Sequence, residues 1–338
     1  MTATPLGIHR LAVATAVCTL ILVFAGGLVT STGSGLAVPD WPLSYGSLTP
    51  PMVGGIVYEH SHRLIAGTVA LMVTVLTLWV WRREPRPWVR QLAVAAWVTV
   101  MAQALLGGLT VLLLLPTAVS VSHGGLAQVF FTLVCLLAVV TSPRWHAARR
   151  DSPSYGSVRG VGTLAIACVY VQTLLGGWMR HTGAGLAIPD FPLSYGRLVP
   201  PLTADGLAMV NSVRTGQYVY RYLDSIAPVV IHFLHRGWAV VVISVIVALY
   251  VVTIRKHRDS RVYVGLASGL IALVCTQALL GGLTIWTAKA VIPTTAHVAL
   301  GSVILALTVV YAVIYRHGGP ILVRQRAPAA ASRMAAPA

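Results

Sequence analysis

Charge is scarce in this chain. Only 9% of its 338 residues are Asp, Glu, Lys or Arg, against about 25% in a soluble domain, too few to clothe a water-soluble globule. Acids are scarcer still, eight against 24 Lys and Arg, for a formal net charge of +16. Cysteine is nearly absent: Cys18, Cys135, Cys168 and Cys275 all fall inside apolar runs, which excludes a disulfide framework and reads as small apolar packing. There is no Arg- and Ser-rich presequence and no evident small-residue cleavage site after MTATPLGIHR, so the first apolar run is expected to be a retained helix.

What is abundant is apolar sequence. Hydrophobic residues make up 57% of the chain and the mean hydropathy is +0.80. Runs long enough to cross a hydrocarbon core, about 20 residues, lie at roughly 11–30, 58–81, 91–112, 120–141, 159–179, 228–254, 262–286 and 292–315. The fold expected is therefore an all-α integral membrane protein of eight transmembrane helices.

The positive charge is placed in a way that argues against nucleic acid. Arg82, Arg83, Arg86 and Arg90 lie between runs two and three, Arg144, Arg149, Arg150 and Arg159 between four and five, and Arg255, Lys256, Arg258 and Arg261 between six and seven. Arg316, Arg324, Arg326 and Arg333 follow run eight. Under the positive-inside rule these loops and both termini are expected to be cytoplasmic.

The chain also repeats itself. Gly26 to Pro51 (GGLVTSTGSGLAVPDWPLSYGSLTPP) and Gly176 to Pro201 (GGWMRHTGAGLAIPDFPLSYGRLVPP) share 17 of 26 positions, and QALLGGLT at 103–110 recurs at 277–284. Each copy holds four runs, an even number, so both copies take one orientation. Two tandem four-helix bundles related by a pseudo-two-fold axis along the membrane normal are expected. The boundaries are 1–142 for the first, 143–158 for a cytoplasmic linker, 159–318 for the second, and 319–338 for a disordered basic, Ala-rich tail. Some 23 extra residues precede run six, roughly 202–227, including Tyr218, Tyr220, Arg221 and Tyr222; they read as a surface segment.

Ionisable groups inside apolar runs are costly and mark function. Here they recur. Glu59-His60-Ser61-His62-Arg63 opens run two, and His232-Phe233-Leu234-His235-Arg236 opens run six; runs four and eight bring His123 and His297, 174 residues apart like the QALLGGLT block. The result is one pair per copy, His62 with His123 and His235 with His297. Two imidazoles from two helices of a four-helix bundle are what a haem iron ligated from both faces needs. Zinc wants four ligands near one point, and interhelical hydrogen bonding is the bland alternative. Arg63 and Arg236 stand where a guanidinium clamps a haem propionate or simply snorkels to the interface. Glu59, on nearly the same face as His62, is the sole acid in any run, and its counterpart is His232. A carboxyl there can serve as base, cation stabiliser or proton relay, or be merely interfacial. His60 points elsewhere, and His181 is matched by Ser31. His9, His146, His257 and His317 are expected to be solvated. Asp40 and Asp190 read as turn caps, and the loops carrying them as rests for a haem edge or quinone headgroup, or as lids that exclude water.

Together, the TG-x-GLA-x-PDWP loop at Thr32 to Pro42, Glu59-x-x-His62-Arg63, His123, His235-Arg236 and His297 resemble the heme A synthase family of cytochrome oxidase assembly, over about residues 10–316. The resemblance implies an oxidoreductase that converts the C8 methyl of heme O to a formyl group by successive hydroxylations, making heme A for terminal oxidases. It implies heme b as cofactor on His235 and His297, the substrate haem on His62 and His123, and Glu59 as the essential carboxylate. It implies a bacterial cell (inner) membrane, heme O delivered by a heme O synthase, and an unidentified membrane electron acceptor. The chain departs from many bacterial members, which carry a cysteine pair in the first outer loop, in having Val38 and Ser44 there, with Ile188 and Ser194 in the second copy. A di-haem b-type electron carrier and a non-catalytic haem-delivery protein are the alternatives.

Overall fold

A computed structural model describes residues 4–146, 156–215 and 221–316. Most of the expected linker, Tyr218, Tyr220, His317 and the tail 319–338 lie outside these residues. The described chain forms ten α-helices: α1 (Leu6–Ser31), α2 (Gly55–Arg83), α3 (Pro87–Leu112), α4 (Thr117–Val140), α5 (Pro143–His146), α6 (Gly156–His181), α7 (Leu207–Thr215), α8 (Ala227–His257), α9 (Arg261–Trp286) and α10 (Val291–Arg316). Eight are long and apolar enough to span a membrane, so this is a multi-pass membrane protein. Each is longer than its apolar run, by one residue in α9 and by two or more elsewhere, because backbone groups near a bilayer are best satisfied inside the helix. Hydroxyls within the spans follow the same rule and bond the preceding turn, as Thr15 does to Leu11 O at 2.7 Å and Thr253 to Leu249 O at 2.6 Å.

Within the first half α1 packs on α2 and α4, and α3 on α2 and α4; within the second, α8 packs on α6 and α9, and α10 on α6 and α9. The halves meet along α1–α10, α4–α6 and α4–α10, which makes α4 and α10 the most enclosed of the spans. Close approach is bought by small residues: a methyl on Gly27 would stand 2.9 Å from Thr295 Cγ2, and one on Gly125 2.7 Å from Leu174 Cδ2. Arg180 of α6 crosses the seam to Gly27 O at 3.1 Å and Ser31 Oγ at 2.9 Å.

The helices α3 and α9 end alike. Leu114 and Leu115 have φ of 60°, and Ala288 and Lys289 have φ of 50° and 66°. The turn satisfies carbonyls five residues back, with Leu115 N–H donating to Thr110 O and Lys289 N–H to Thr284 O, both at 2.7 Å.

At the arginine-rich end a buried cluster ties three elements together. Glu84 is fully buried; it accepts from Arg86 Nε at 2.6 Å and Thr4 Oγ1 at 2.5 Å, while Arg86 also donates to Val140 O at 2.9 Å. Burial works to raise the Glu84 pKa, but the bonds from Arg86 and Thr4 prevail and hold it below the usual carboxylate value. A depressed folded-state pKa gives stability that is present above the unfolded pKa and lost as pH falls through the folded one. Glu84→Gln is therefore expected to destabilise the protein by about 3 kcal/mol at neutral pH, the low end for breaking a buried pair, because Arg86 reaches the surface. Thermal unfolding in detergent checks this: the variant should melt lower at pH 7 and lose the acid-side fall in stability.

Two histidines expected to be solvated are half-buried and have partners within the protein. His9 Nδ1 lies 3.0 Å from Ala138 O of α4, and His257 Nε2 lies 2.9 Å from the Tyr315 hydroxyl, its ring against Tyr263 and Tyr315. Their partners stand on other helices, so local arginines were a poor guide. Cys275 is exposed on the bundle exterior, whereas Cys168 is buried.

Candidate functional site

The site is built at the end of the bundle opposite the arginines, beneath two loops that fold alike. In the first, Gly33, Tyr45 and Gly46 have φ of 70°, 53° and 68°; in the second, Gly183, Tyr195 and Gly196 have 70°, 57° and 71°. An aspartate holds each left-handed turn. Asp40 takes the Tyr45 and Gly46 N–H groups at 2.7 and 2.8 Å, and Asp190 takes those of Tyr195 and Gly196 at the same distances. These bonds, from Gly46 first and then Tyr45, lower the Asp40 pKa. Both aspartates thus act as the turn caps expected from the sequence. Trp41-Pro42 and Phe191-Pro192 are both cis. Trp41 and Phe191 lie flat enough on the neighbouring helix that a methyl on Gly108 would meet Trp41 at 2.8 Å, and one on Gly282 would meet Phe191 at 3.0 Å.

Each loop is latched to the helix that follows it. In the first half the buried Glu59 accepts the Val38 N–H at 2.9 Å and pairs with Arg63 at 2.6 Å. Arg63 also donates to Asp40 O at 2.7 Å, Leu43 O at 2.6 Å and Val38 O at 3.3 Å. His60 completes the latch through Ser44 Oγ at 2.8 Å. In the second half His232 stands where Glu59 does, with the Ile188 N–H 3.1 Å from its Nδ1 and Arg236 Nε 3.1 Å from its Nε2. Arg236 reaches Leu193 O at 2.9 Å and Ile188 O at 3.3 Å and lies over the Phe191 ring, 5.6 Å from its centroid. A carboxylate accepts from two donors at once, whereas a neutral imidazole has one free lone pair. The two latches are therefore alike in shape and unlike in charge.

The two loops also differ in what covers them. Helix α7, in the segment the first half lacks, packs Val210 with Ala187, Ile188, Tyr195 and Val229. Arg214 is buried and donates to Leu186 O and Ala187 O, both at 2.8 Å, and to Arg221 O at 2.9 Å; Asn211 exchanges two bonds with Leu223 at 2.9 Å. Tyr195 is 8% exposed as a result, against 55% for Tyr45, and burial raises the pKa of its phenol. Losing charged hydrogen bonds to buried carbonyls costs about 1.5–3 kcal/mol. Arg214→Ala should accelerate amide hydrogen exchange across 184–196 by tenfold or more and leave 34–46 unchanged.

Below the loops stand the four histidines, half-buried. His62 of α2 and His123 of α4 fall within electrostatic reach of each other, as do His235 of α8 and His297 of α10. Each imidazole lies on a glycine of a neighbouring helix. A methyl on Gly26 or Gly176 would stand 3.1 Å from Cε1 of His62 or His235, and one on Gly107 or Gly281 would stand 3.3 Å from Cε1 of His123 or His297. Glutamines one turn earlier hold the histidine backbones. Gln103 donates to His123 O at 2.8 Å, Gln277 to His297 O at 2.9 Å and Gln172 to His235 O at 3.1 Å. The signal for these holders was in the sequence, as Gln-x-x-x-Gly-Gly at 103–108, 172–177 and 277–282; in α1 the same place reads Leu22 to Gly27.

The donor set fits a macrocycle held by paired imidazoles. His297 Nδ1 lies 3.1 Å from Gln277 O, which as a donor leaves Nε2 to bind a metal. At His62 and His123 the corresponding carbonyls, Leu22 and Gln103, are near, but short of good geometry, so both Nδ1 atoms are buried without a well-formed partner. No group of three or more His, Cys, Asp or Glu suited to a metal ion occurs among the described residues, so the zinc alternative finds no ligand set there. Surface grooves lined by Trp81, Gln91 and Ala95 and by Trp88, Leu92 and Leu136 lie toward the arginine-rich end and do not involve these histidines.

The cytochrome oxidase assembly protein family (COX15-CtaA) matches residues 9–54 and 55–309. A heme A synthase of Shouchella clausii is 30% identical over 290 residues, 84% of this chain and 88% of the relative. One from Halalkalibacterium halodurans is 27% identical over 309 residues, covering 89% and 94%, and one from Bacillus mycoides 30% identical over 294, covering 83% and 84%.

Proposed function

This chain belongs to the cytochrome oxidase assembly family, and on that premise we infer how its site works. Its activity is that of a heme A synthase, an oxidoreductase acting on a methyl group of heme O. The methyl is the one at C8, taken to a formyl group by successive hydroxylations. The division of labour we propose places heme O on His62 and His123 in the first half, 1–142, and a resident heme b on His235 and His297 in the second, 159–318. The halves are related by a pseudo-two-fold axis near the membrane normal. Heme b, when bound, supplies one-electron redox chemistry.

One observation carries the assignment of chemistry to the first half: Glu59 and His232 occupy equivalent latch positions, and only Glu59 brings a carboxylate. Held by the Val38 N–H and Arg63, that carboxylate has a fixed position beside His62, from which it takes a proton or stabilises positive charge. Arg63 and Arg236 strap the loops and place positive charge where the propionate edge would lie. The loops exclude water from the reacting carbon. The loop end faces away from the cytoplasm, with the termini and arginine-rich loops inside a bacterial cell membrane; heme O arrives from a heme O synthase, and electrons leave to a membrane acceptor. An electron carrier with two permanent haems has no use for an acid in one site alone.

The test is to co-express the chain with a heme O synthase and separate extracted membrane haems by chromatography. Heme A should appear only when both are present. A well-expressed, haem-loaded protein that yields heme B and heme O alone would overturn the reading.

A further inference from the structure

The four glycines beneath the histidines are not explained by helix packing. Each belongs to a Gly-Gly pair, and the members of a pair face different neighbours. The second glycine meets a loop aromatic in α3 and α9 (Trp41 on Gly108, Phe191 on Gly282) and the opposite half in α1 and α6 (Thr295 near Gly27, Val121 near Gly177). The first meets the same atom every time, the Cε1 of a histidine, at 3.1–3.3 Å from where a methyl would be. Four different helix pairs reproduce one contact.

Helix geometry shows what that contact achieves. In an α-helix the N–H of residue i bonds the carbonyl of residue i−4, so the carbonyl beside Gly281 is that of Gln277, and beside Gly107 that of Gln103. A side chain at the glycine would cover that carbonyl from the flank. With none there, His297 comes in until its Nδ1 is 3.1 Å from Gln277 O, whereas His62 and His123, seated on Gly26 and Gly107, leave Nδ1 without a well-formed partner. Nδ1 donating to a carbonyl fixes the tautomer and leaves the Nε2 lone pair as the ligand. His235 departs from this: Gln172 turns its amide to the ring, Nε2 at 3.3 Å from Nδ1 and 3.4 Å from the ring Nε2.

We propose that Gly26, Gly107, Gly176 and Gly281 are positioning residues that seat the four imidazoles, setting the ring plane that each offers to a haem iron and, at His297, the tautomer as well. The seat rests on the haem-ligating reading above, and deepens it. Where a glutamine four residues earlier grips the histidine carbonyl, ring and backbone are both held. Leu22 removes that grip at His62 alone, so one ligand of the substrate pair is seated without being clamped.

The experiment uses the purified full-length holoprotein in detergent and reads haem stoichiometry and the low-spin signature by optical and electron paramagnetic resonance spectroscopy. Gly176→Ala and Gly281→Ala should shift the low-spin signal and convert at least a third of the second-half haem to high spin, at normal expression. Gly177→Ala, whose methyl would meet Val121 at an ordinary 3.8 Å, is the control and should match wild type. Gln277→Leu, which removes the grip on His297 and adds nothing at the seat, should broaden the same signal and supplies the answer if the glycine variants fail to fold. His235→Ala and His297→Ala separate the two levels of the argument. If they lose the signal while the glycine and Gln277 variants keep the wild-type spectrum, the seat is wrong and the ligand assignment stands; if they too keep it, both fall.

Discussion

Glu59→Ala is expected to abolish heme A formation while leaving the protein folded and haem-loaded. The carboxylate accepts from the Val38 N–H and from Arg63, while the other described first-half acids are engaged elsewhere, Asp40 with its own turn and Glu84 with Thr4 and Arg86. Removing a positioned acid or base costs about 10²–10⁴-fold in rate, which in extracted haems is a loss of heme A below detection with heme O accumulating. Arg63 keeps its three loop carbonyls, so the loop stays in place and the haem spectrum survives. Glu59→Gln sharpens the result. The amide oxygen still accepts the Val38 N–H, so a chemical role predicts the same loss as alanine, whereas a purely structural latch predicts recovery of most activity. Full activity in the alanine variant would remove the role assigned to Glu59.

His235→Ala and His297→Ala are expected to empty the second half, and His62→Ala and His123→Ala to spare it. On the proposed ligand pairs, losing one histidine leaves an iron with one protein bond, and the four positions are in four different helices, so each variant reads one half. Haem content by the pyridine haemochrome method should fall by about one equivalent in the His235 and His297 variants, with heme A lost as well, because the resident cofactor is gone. In the His62 and His123 variants the resident haem should remain, with heme A formation lost. Equal losses from all four variants would mean that the halves do not hold separate haems.

The spans were legible because hydrocarbon thickness dictates their length, and the histidine pairs because duplication singles out residues that recur. The Asp40 and Asp190 turns were legible for the same reason, together with the glycine that follows each tyrosine. What was not legible depended on partners far away in sequence. His257 finds Tyr315, 58 residues on, and Glu84 finds Thr4, 80 residues back; proximity to arginine in the chain said nothing of either. The sequence offers Arg63 as a clamp for a haem propionate or a cation snorkelling to the interface, and its bonds to Glu59 one turn away and to carbonyls of a loop some twenty residues earlier were not legible there. The Gln-x-x-x-Gly-Gly motif was visible as repetition, but its meaning required knowing which histidine lies across from it. Helix α7 carried no repeat to compare with, and its purpose appears only in what Arg214 touches.

That helix makes the two loops unequal in time as well as in exposure. Local opening of a segment costs what its contacts cost, and segments with few buried contacts open often. The first loop lifts when the Glu59, Arg63 and His60 bonds to it break. For the second to lift, α7 must come away with it, unseating Val210, the Arg214 bonds and a phenol that water scarcely reaches. The first loop is therefore expected to open more often than the second, the order that the proposed division of labour asks of an exchanging ligand beneath the first and a retained one beneath the second.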